Sequence, residues 1–272
     1  MQGQARGRAS FAPENSAAAP PAADAAGQPQ LSVVIPVHNE AECIGALVSE
    51  TGAALAGRID YEIVVVDDGS NDATWAIVAA ARSSNPRVRR LRHGQNIGQS
   101  AALLTGVMAA RAPWIATLDG DAQNDPADIP GMWEHLRRAD GAAGLKLVAG
   151  HRRQRRDSWI KRMSSRIANG VRARALGDQT PDTGCGLKLI ERETYLALPR
   201  FDHMHRFLPA LVLRAGGAVK SVPVHHRPRR TGRTHYGIGN RLWVGLVDML
   251  GVMWLQRRAR RPLHIEELPP GE

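Results

Sequence analysis

Cysteine is nearly missing from these 272 residues: only Cys43 and Cys185 occur. Two thiols cannot build a disulfide scaffold, and such sparse usage points to a reducing compartment. Aromatics are also scarce, at 4%, too few for the stacking platforms on which single-stranded nucleic acid is held. No uninterrupted apolar run approaches the roughly 20 residues of a bilayer-spanning helix. The Ala/Pro-rich residues 1–30 lack the continuous Leu/Ile/Val core of a secretion signal and read as a disordered tail. There is no GxxxxGK[ST] phosphate loop, and no GxGxxG follows the first apolar run, so neither phosphate-loop nor dinucleotide binding has motif support. What remains is an ordinary folding composition, 43% hydrophobic, with length enough for a sizeable core.

Acidic residues are the scarcer charge, 26 Asp+Glu against 36 Lys+Arg, for a formal charge of +10. The excess is concentrated. Residues 151–174, 220–241 and 257–261 carry +8, +6 and +4, which leaves the rest of the chain at −8. An acidic body with three basic insets suits an anionic partner.

From Leu31 onward, short apolar runs alternate with helical patterns. Strands are expected at 31–35, 61–66, 88–91 and 114–118, with helices over 41–56, 73–83 and 100–110 between them. Further strands fit 146–150, 187–190 and 219–224. A strongly basic helix fits 158–174, and another helix, which Pro209 would bend or split, fits 203–215. Near-continuous apolar strands alternating with helices predict an α/β fold with a mostly parallel sheet covered on both faces.

In such a sheet, ligands sit beyond the carboxyl ends of the strands. Asp67-Asp68 follows the second strand, and Asp119-Gly120-Asp121 follows the fourth. Two carboxylates one residue apart can share Mg²⁺ or Mn²⁺ bound to phosphates, with Gly120 allowing a tight backbone; equally, each can cap a helix or organise a turn. Arg152, Lys161, Arg162 and Arg233 are candidates to hold phosphate oxygens, although solvated surface positions suit any one of them as well. His225-His226 lacks the Cys or carboxylate company of a zinc site. Cys185, between two glycines and without a paired base, reads as a small residue in a crowded turn rather than a nucleophile.

These pieces resemble a family. Val33 to Glu40, Val65 to Asp72, His93 to Gly98 and Leu118 to Pro126, followed by Gly150-His151-Arg152, Lys161 to Asn169, Asp182 to Leu189 and Arg230 to Tyr236, are similar to family 2 glycosyltransferases. The resemblance is to the branch of dolichyl-phosphate mannose synthases and bacterial polyprenyl-phosphate sugar synthases, and it spans about residues 31–240. It implies a GT-A (Rossmann-like) catalytic domain at 31–237 and inverting transfer of a sugar from a nucleotide-sugar to a polyprenyl phosphate. It implies that Pro36, Glu40, Asp67, Asp68 and Gly120 contact the nucleotide-sugar, and that Asp119, Asp121 and Gln123 hold Mg²⁺ or Mn²⁺. Arg152, Lys161 or Arg162, Ser165 and Arg233 then hold the acceptor phosphate and donor diphosphate, with Asp121, Arg152 and Arg233 the catalytic set. A related transferase with a saccharide or other hydroxyl acceptor is the alternative, and nucleic acid is not an expected partner.

Relatives in this branch often carry C-terminal transmembrane helices, whereas the apolar segment Ile238–Leu255 is interrupted by Arg241 and Asp248. Residues 238–272 read as an apolar and basic C-terminal helix and tail. Two roles fit: an interfacial helix on an anionic membrane surface, or a helix packed on the core or a second subunit. Peripheral attachment to the cytoplasmic face of the inner membrane, or a separate membrane protein partner, is the corresponding expectation.

Overall fold

The structure, a computed structural model, describes residues 27–138, 144–152, 176–178, 180–228 and 238–258, the last from side chain 243 onward. Most of the tail, the basic helix expected at 158–174, and Lys161, Arg162, Ser165 and Arg233 lie outside the described residues.

The first half alternates regularly: β1 (Leu31–Val37), α1 (Ala41–Leu55), β2 (Tyr61–Asp67), α2 (Thr74–Ser84), β3 (Val88–Arg92), α3 (Gln99–Ala109) and β4 (Trp114–Thr117). After a 3₁₀ turn (Pro126–Asp128) come α4 (Ile129–Arg138), β5 (Leu145–Arg152), β6 (Lys188–Glu191) and α5 (Arg192–Ala197). A second 3₁₀ turn (Met204–Arg206), α6 (Leu208–Arg214), β7 (Ala218–Val224) and α7 (Ile238–Arg257) complete the described elements.

The seven strands form one sheet in the order β3-β2-β1-β4-β6-β5-β7. β6 alone is antiparallel to its neighbours, β4 and β5. Every residue of β1 and β2 is buried, because successive side chains enter opposite layers. Val33 and Ile35 join Ile44, Leu47 and Met132 on the face covered by α1, α2 and α4. Val34 joins Leu103, Val107, Leu211 and Val252 on the face covered by α3, α6 and α7. The expected mostly parallel, doubly covered sheet is the observed one.

Several boundaries differ for physical reasons. β1 runs through Pro36 rather than stopping before it. The Val34 carbonyl accepts from Leu118 N, on the β4 side, and the β1–β4 ladder ends there. Pro36, two residues on, faces that same vacated side, so its missing N–H breaks no ladder bond. Pro209 lies in the first turn of α6 and neither bends nor splits it, since the first-turn N–H groups have no helical acceptor anyway. β5 continues to Arg152, which is therefore a strand residue.

Candidate functional site

The carboxyl ends of β2, β1 and β4 lie side by side and bring Asp67-Asp68, Pro36-Val37 and Asp119-Gly120-Asp121 to one edge. Asp67 is fully buried, accepting from Ser70 N at 2.9 Å and pairing with Arg92 Nε at 3.1 Å. Asp68 is also buried. Its carboxylate accepts from Ile97 N at 3.0 Å and Gly98 N at 2.8 Å, and lies 2.7 Å from His93 Nδ1. Both residues therefore shape the wall of the edge as well as lying at it. Glu40 precedes α1, its backbone N donating to Thr74 Oγ1.

Asp72 fastens the same corner, accepting from Thr74 N at 2.9 Å and Ala41 N at 3.2 Å. Partial burial opposes its ionisation, but the hydrogen bonds from Thr74 and Ala41 outweigh this and hold its carboxyl below the usual 3.8.

Beyond β4 the chain is pressed against β1. A Cβ on Gly120 would lie 2.7 Å from Val37 Cγ1 and 2.9 Å from the Pro36 carbonyl, so only glycine fits. Asp119 accepts from Gln99 Nε2 at 2.8 Å. Its carboxylate occupies the space over Gly186, where a Cβ would come within 2.0 Å of Oδ2. Burial, and then the charge of Asp121, push the Asp119 carboxyl upward against the pull of Lys188, Gln99 and Arg152. Asp121 accepts from Gln123 N at 3.2 Å, closing a tight Asx turn, and the Gln123 carbonyl accepts from Arg227 N at 2.8 Å.

Two like-charged carboxylates so close that one raises the other's pKa suit a divalent cation. Among the described residues, no group of three His, Cys, Asp or Glu converges to enclose a metal. The donor set therefore fits a hard ion that takes two protein carboxylates and completes its shell with phosphate oxygens or water.

The cationic side of the edge is built from β5 and β6. Arg152 forks onto Asp182, Nε to Oδ2 at 2.6 Å and Nη2 to Oδ1 at 2.8 Å. That bidentate bond, more than any other neighbour, holds the guanidinium charged against partial burial. Lys188, at 3% exposure, donates from Nζ to the Cys185 carbonyl. Burial lowers its pKa, opposed by Cys185, Asp119 and Asp182. Beside it, Ser100 Oγ lies 2.8 Å from His205 Nδ1. Burial, with the positive charge of Lys188 next, pushes His205 down to about 3, so its imidazole is neutral.

Thus Asp67, Asp68, Pro36, Asp119, Gly120, Asp121 and Gln123 gather at one edge, with Arg152 in electrostatic reach of Asp119. The second basic inset is partly committed elsewhere. Arg227 binds Glu50 and Asp125, and His225 binds Asp128. Cys185 is 1% exposed with its thiol pushed up by burial, a core residue rather than a nucleophile. Sequence reasoning gave no role to Gln99, nor to Asp182, Gly186 and Lys188, although these last three lie in the piece from Asp182 to Leu189 that carries the resemblance. The lone lysine in Leu187-Lys188-Leu189-Ile190 was the readable signal, since a strand buried on both faces has no polar side to receive it.

A twisted, mostly parallel sheet with a carboxylate pair and cations at its carboxyl edge is the frame of a GT-A glycosyltransferase. The family model described as Glycosyl transferase family 2 matches residues 32–197. The chain is 36% identical over 243 residues to dodecaprenyl-phosphate galacturonate synthase of Rhizobium johnstonii, covering 86% of this chain and 70% of that protein. It is 35% identical over 211 residues to undecaprenyl-phosphate 4-deoxy-4-formamido-L-arabinose transferase of Edwardsiella ictaluri, covering 76% of this chain but only 63% of that one.

Among solved structures, glucosyl-3-phosphoglycerate synthase from Mycobacterium tuberculosis, in complex with Mn²⁺, UDP-glucose and glycerol 3-phosphate, superposes with a TM-score of 0.62. Identity there is 19%, over 84% of this chain and 80% of that one. A mannosyltransferase from Pyrobaculum calidifontis, in complex with GDP-Man and Mn²⁺, gives a TM-score of 0.60 at 22% identity, over 86% and 66% of the two chains. At those identities the likeness establishes the fold. The chain belongs to glycosyl transferase family 2.

Proposed function

We propose that this enzyme transfers a sugar from a nucleotide-sugar to the phosphate of a polyprenyl phosphate, with inversion, to give a polyprenyl-phosphate monosaccharide for cell-envelope glycan or glycolipid modification. The observation that carries the chemistry is the meeting, at one sheet edge, of the Asp119/Asp121 pair with the cations Arg152 and Lys188. Support for the acceptor comes from the relatives' own substrates, a dodecaprenyl phosphate and an undecaprenyl phosphate.

In this reading Pro36, Glu40, Asp67, Asp68 and Gly120 line the nucleotide side. Asp119 and Asp121, with Gln123, hold Mg²⁺ or Mn²⁺, which when bound neutralises the donor diphosphate. Arg152, with Lys161 or Arg162, Ser165 and Arg233, holds the acceptor phosphate and the diphosphate. An oxygen of the lipid phosphate bonds to the anomeric carbon as the bond from that carbon to the diphosphate breaks. The departing nucleoside diphosphate keeps the electron pair, which the cations stabilise. A phosphate monoester is already largely ionised near neutral pH, so no strong general base is required. The acceptor is a membrane lipid, so the reaction belongs at a membrane surface, with peripheral attachment to the cytoplasmic face of the inner membrane.

The test is incubation with a panel of nucleotide-sugars, Mg²⁺ or Mn²⁺ and polyprenyl phosphate, with mass spectrometry of the lipid fraction. A lipid-linked monosaccharide is the expected product, and Asp121→Ala should abolish it while leaving the circular dichroism spectrum unchanged. Absence of any such product across the panel, with nucleoside diphosphate released regardless of lipid, would sink the reading.

A further inference from the structure

Helix α7 has two unlike faces. Its inner face is fastened to the protein. Val252 is fully buried, and Met249 and Met253 pack on the same core layer as α3 and α6. Gln256 Nε2 donates to the Leu176 carbonyl at 2.7 Å, and the Leu255 carbonyl accepts from Arg214 Nε at 2.9 Å. Asp248, the single acid between Ile238 and Arg257, turns inward, with Oδ2 3.2 Å from His203 Nδ1. The acid that interrupts the apolar sequence therefore belongs to the packed face.

The outer face is apolar and open. Trp243, Leu246, Val247, Leu250 and Trp254 recur at helical spacing and are 67, 43, 52, 55 and 60% exposed. At 1.5 Å per residue, the stripe from Trp243 to Trp254 is about 16 Å long. Arg257 and Arg258, also exposed, continue it on the same side. A contiguous apolar surface of this kind marks an interaction site.

We infer that this face docks onto an anionic lipid bilayer, a surface that rests on the reading of the acceptor as a membrane lipid and shows where that membrane is met. Charge supports this occupant: Arg257 and Arg258 lie exposed at the end of the stripe, and anionic headgroups supply their counter-ions. Tryptophans suit the headgroup boundary, where an amphipathic ring has one side apolar and one side wet. The packed face also connects to the site: Asp248, midway along α7, is joined through His203 to the 3₁₀ turn carrying His205, and His205 meets Ser100 beside Gln99, the partner of Asp119.

The full chain should co-sediment with phosphatidylglycerol-rich vesicles and less with pure phosphatidylcholine vesicles, in a salt-sensitive manner. The triple variant Trp243→Ser/Leu250→Ser/Trp254→Ser should weaken that partition by about tenfold or more. Arg257→Glu/Arg258→Glu should remove the preference for anionic lipid. Both variants should still turn over a short-chain, water-soluble polyprenyl phosphate at the wild-type rate, because none of these residues lies in the site. Wild-type vesicle binding by the triple variant would overturn the inference. So would light scattering that finds a wild-type dimer and a triple-variant monomer with equal vesicle binding. Vesicle binding by a wild-type protein that ignores the short-chain acceptor would instead count against the acceptor reading and leave the docking surface standing.

Discussion

Gly186 and Asp119 are 67 positions apart, yet the aspartate carboxylate fills the space a side chain at 186 would need. Gly186→Ala should therefore displace Asp119 without unfolding the sheet. A displacement on the ångström scale at reacting groups costs on the order of a hundredfold in turnover. Steady-state kinetics with unchanged circular dichroism would verify this, and wild-type kinetics would contradict it. Asp72 makes a different prediction. Its folded pKa is lowered, so its contribution to stability is present above the ordinary value of 3.8 and lost as pH falls through the folded value. Asp72→Ala should cost about 0.5–2 kcal/mol near neutrality, and that deficit should shrink toward acid pH. Denaturant melts at several pH values would measure it. The carboxylates Asp67, Asp68, Asp119 and Asp121 were legible because each follows an apolar strand. Gln99 was not, and neither was the pairing of Asp182 with Arg152, because a partner distant in sequence leaves no local pattern.

The strands were more legible than what joins them. β1 and β2 are buried on both faces, so their sequences are almost unbroken apolar runs. Such a run reveals a strand but not its direction, and the antiparallel setting of β6 could not be read from Lys188–Glu191. No element was expected between Pro126 and Lys146, where α4 stands. Prolines at 126 and 130 suggest a loop, yet Pro130 occupies the tolerant first turn, and Ile129, Met132, Trp133 and Leu136 form one buried face. If that face anchors the helix, Leu136→Ala should cost about 2–5 kcal/mol, measured by denaturant unfolding. A cost below about 1 kcal/mol would mean that the site relaxes or that α4 contributes little.

At the scale of the whole molecule, the +10 charge and the scarcity of aromatics take on a structural meaning. Among the described residues, the basic side chains of the three insets sit at separate places. Arg227 ties α1 to the loop after β4, Arg152 is forked onto Asp182 at the end of β5, and Arg257 and Arg258 extend the exposed stripe of α7. Two of the six tryptophans are on that stripe. The sequence alone left α7 open between membrane contact and packing on the core. The fold resolves the packing half: one face is packed and the other is bare, a division that appears once Asp248 is seen to turn inward.

The central claim is that a phosphate, not a hydroxyl, receives the sugar. It is tested most directly by offering the protein a matched pair of lipids, a polyprenyl phosphate and the corresponding polyprenol, with the nucleotide-sugar it consumes and a divalent cation. Phosphate attack predicts a lipid-linked monosaccharide, and nucleoside diphosphate in equal amount, from the phosphorylated lipid only. Transfer to the alcohol or to a free saccharide, or diphosphate release that ignores the lipid phosphate, would contradict it.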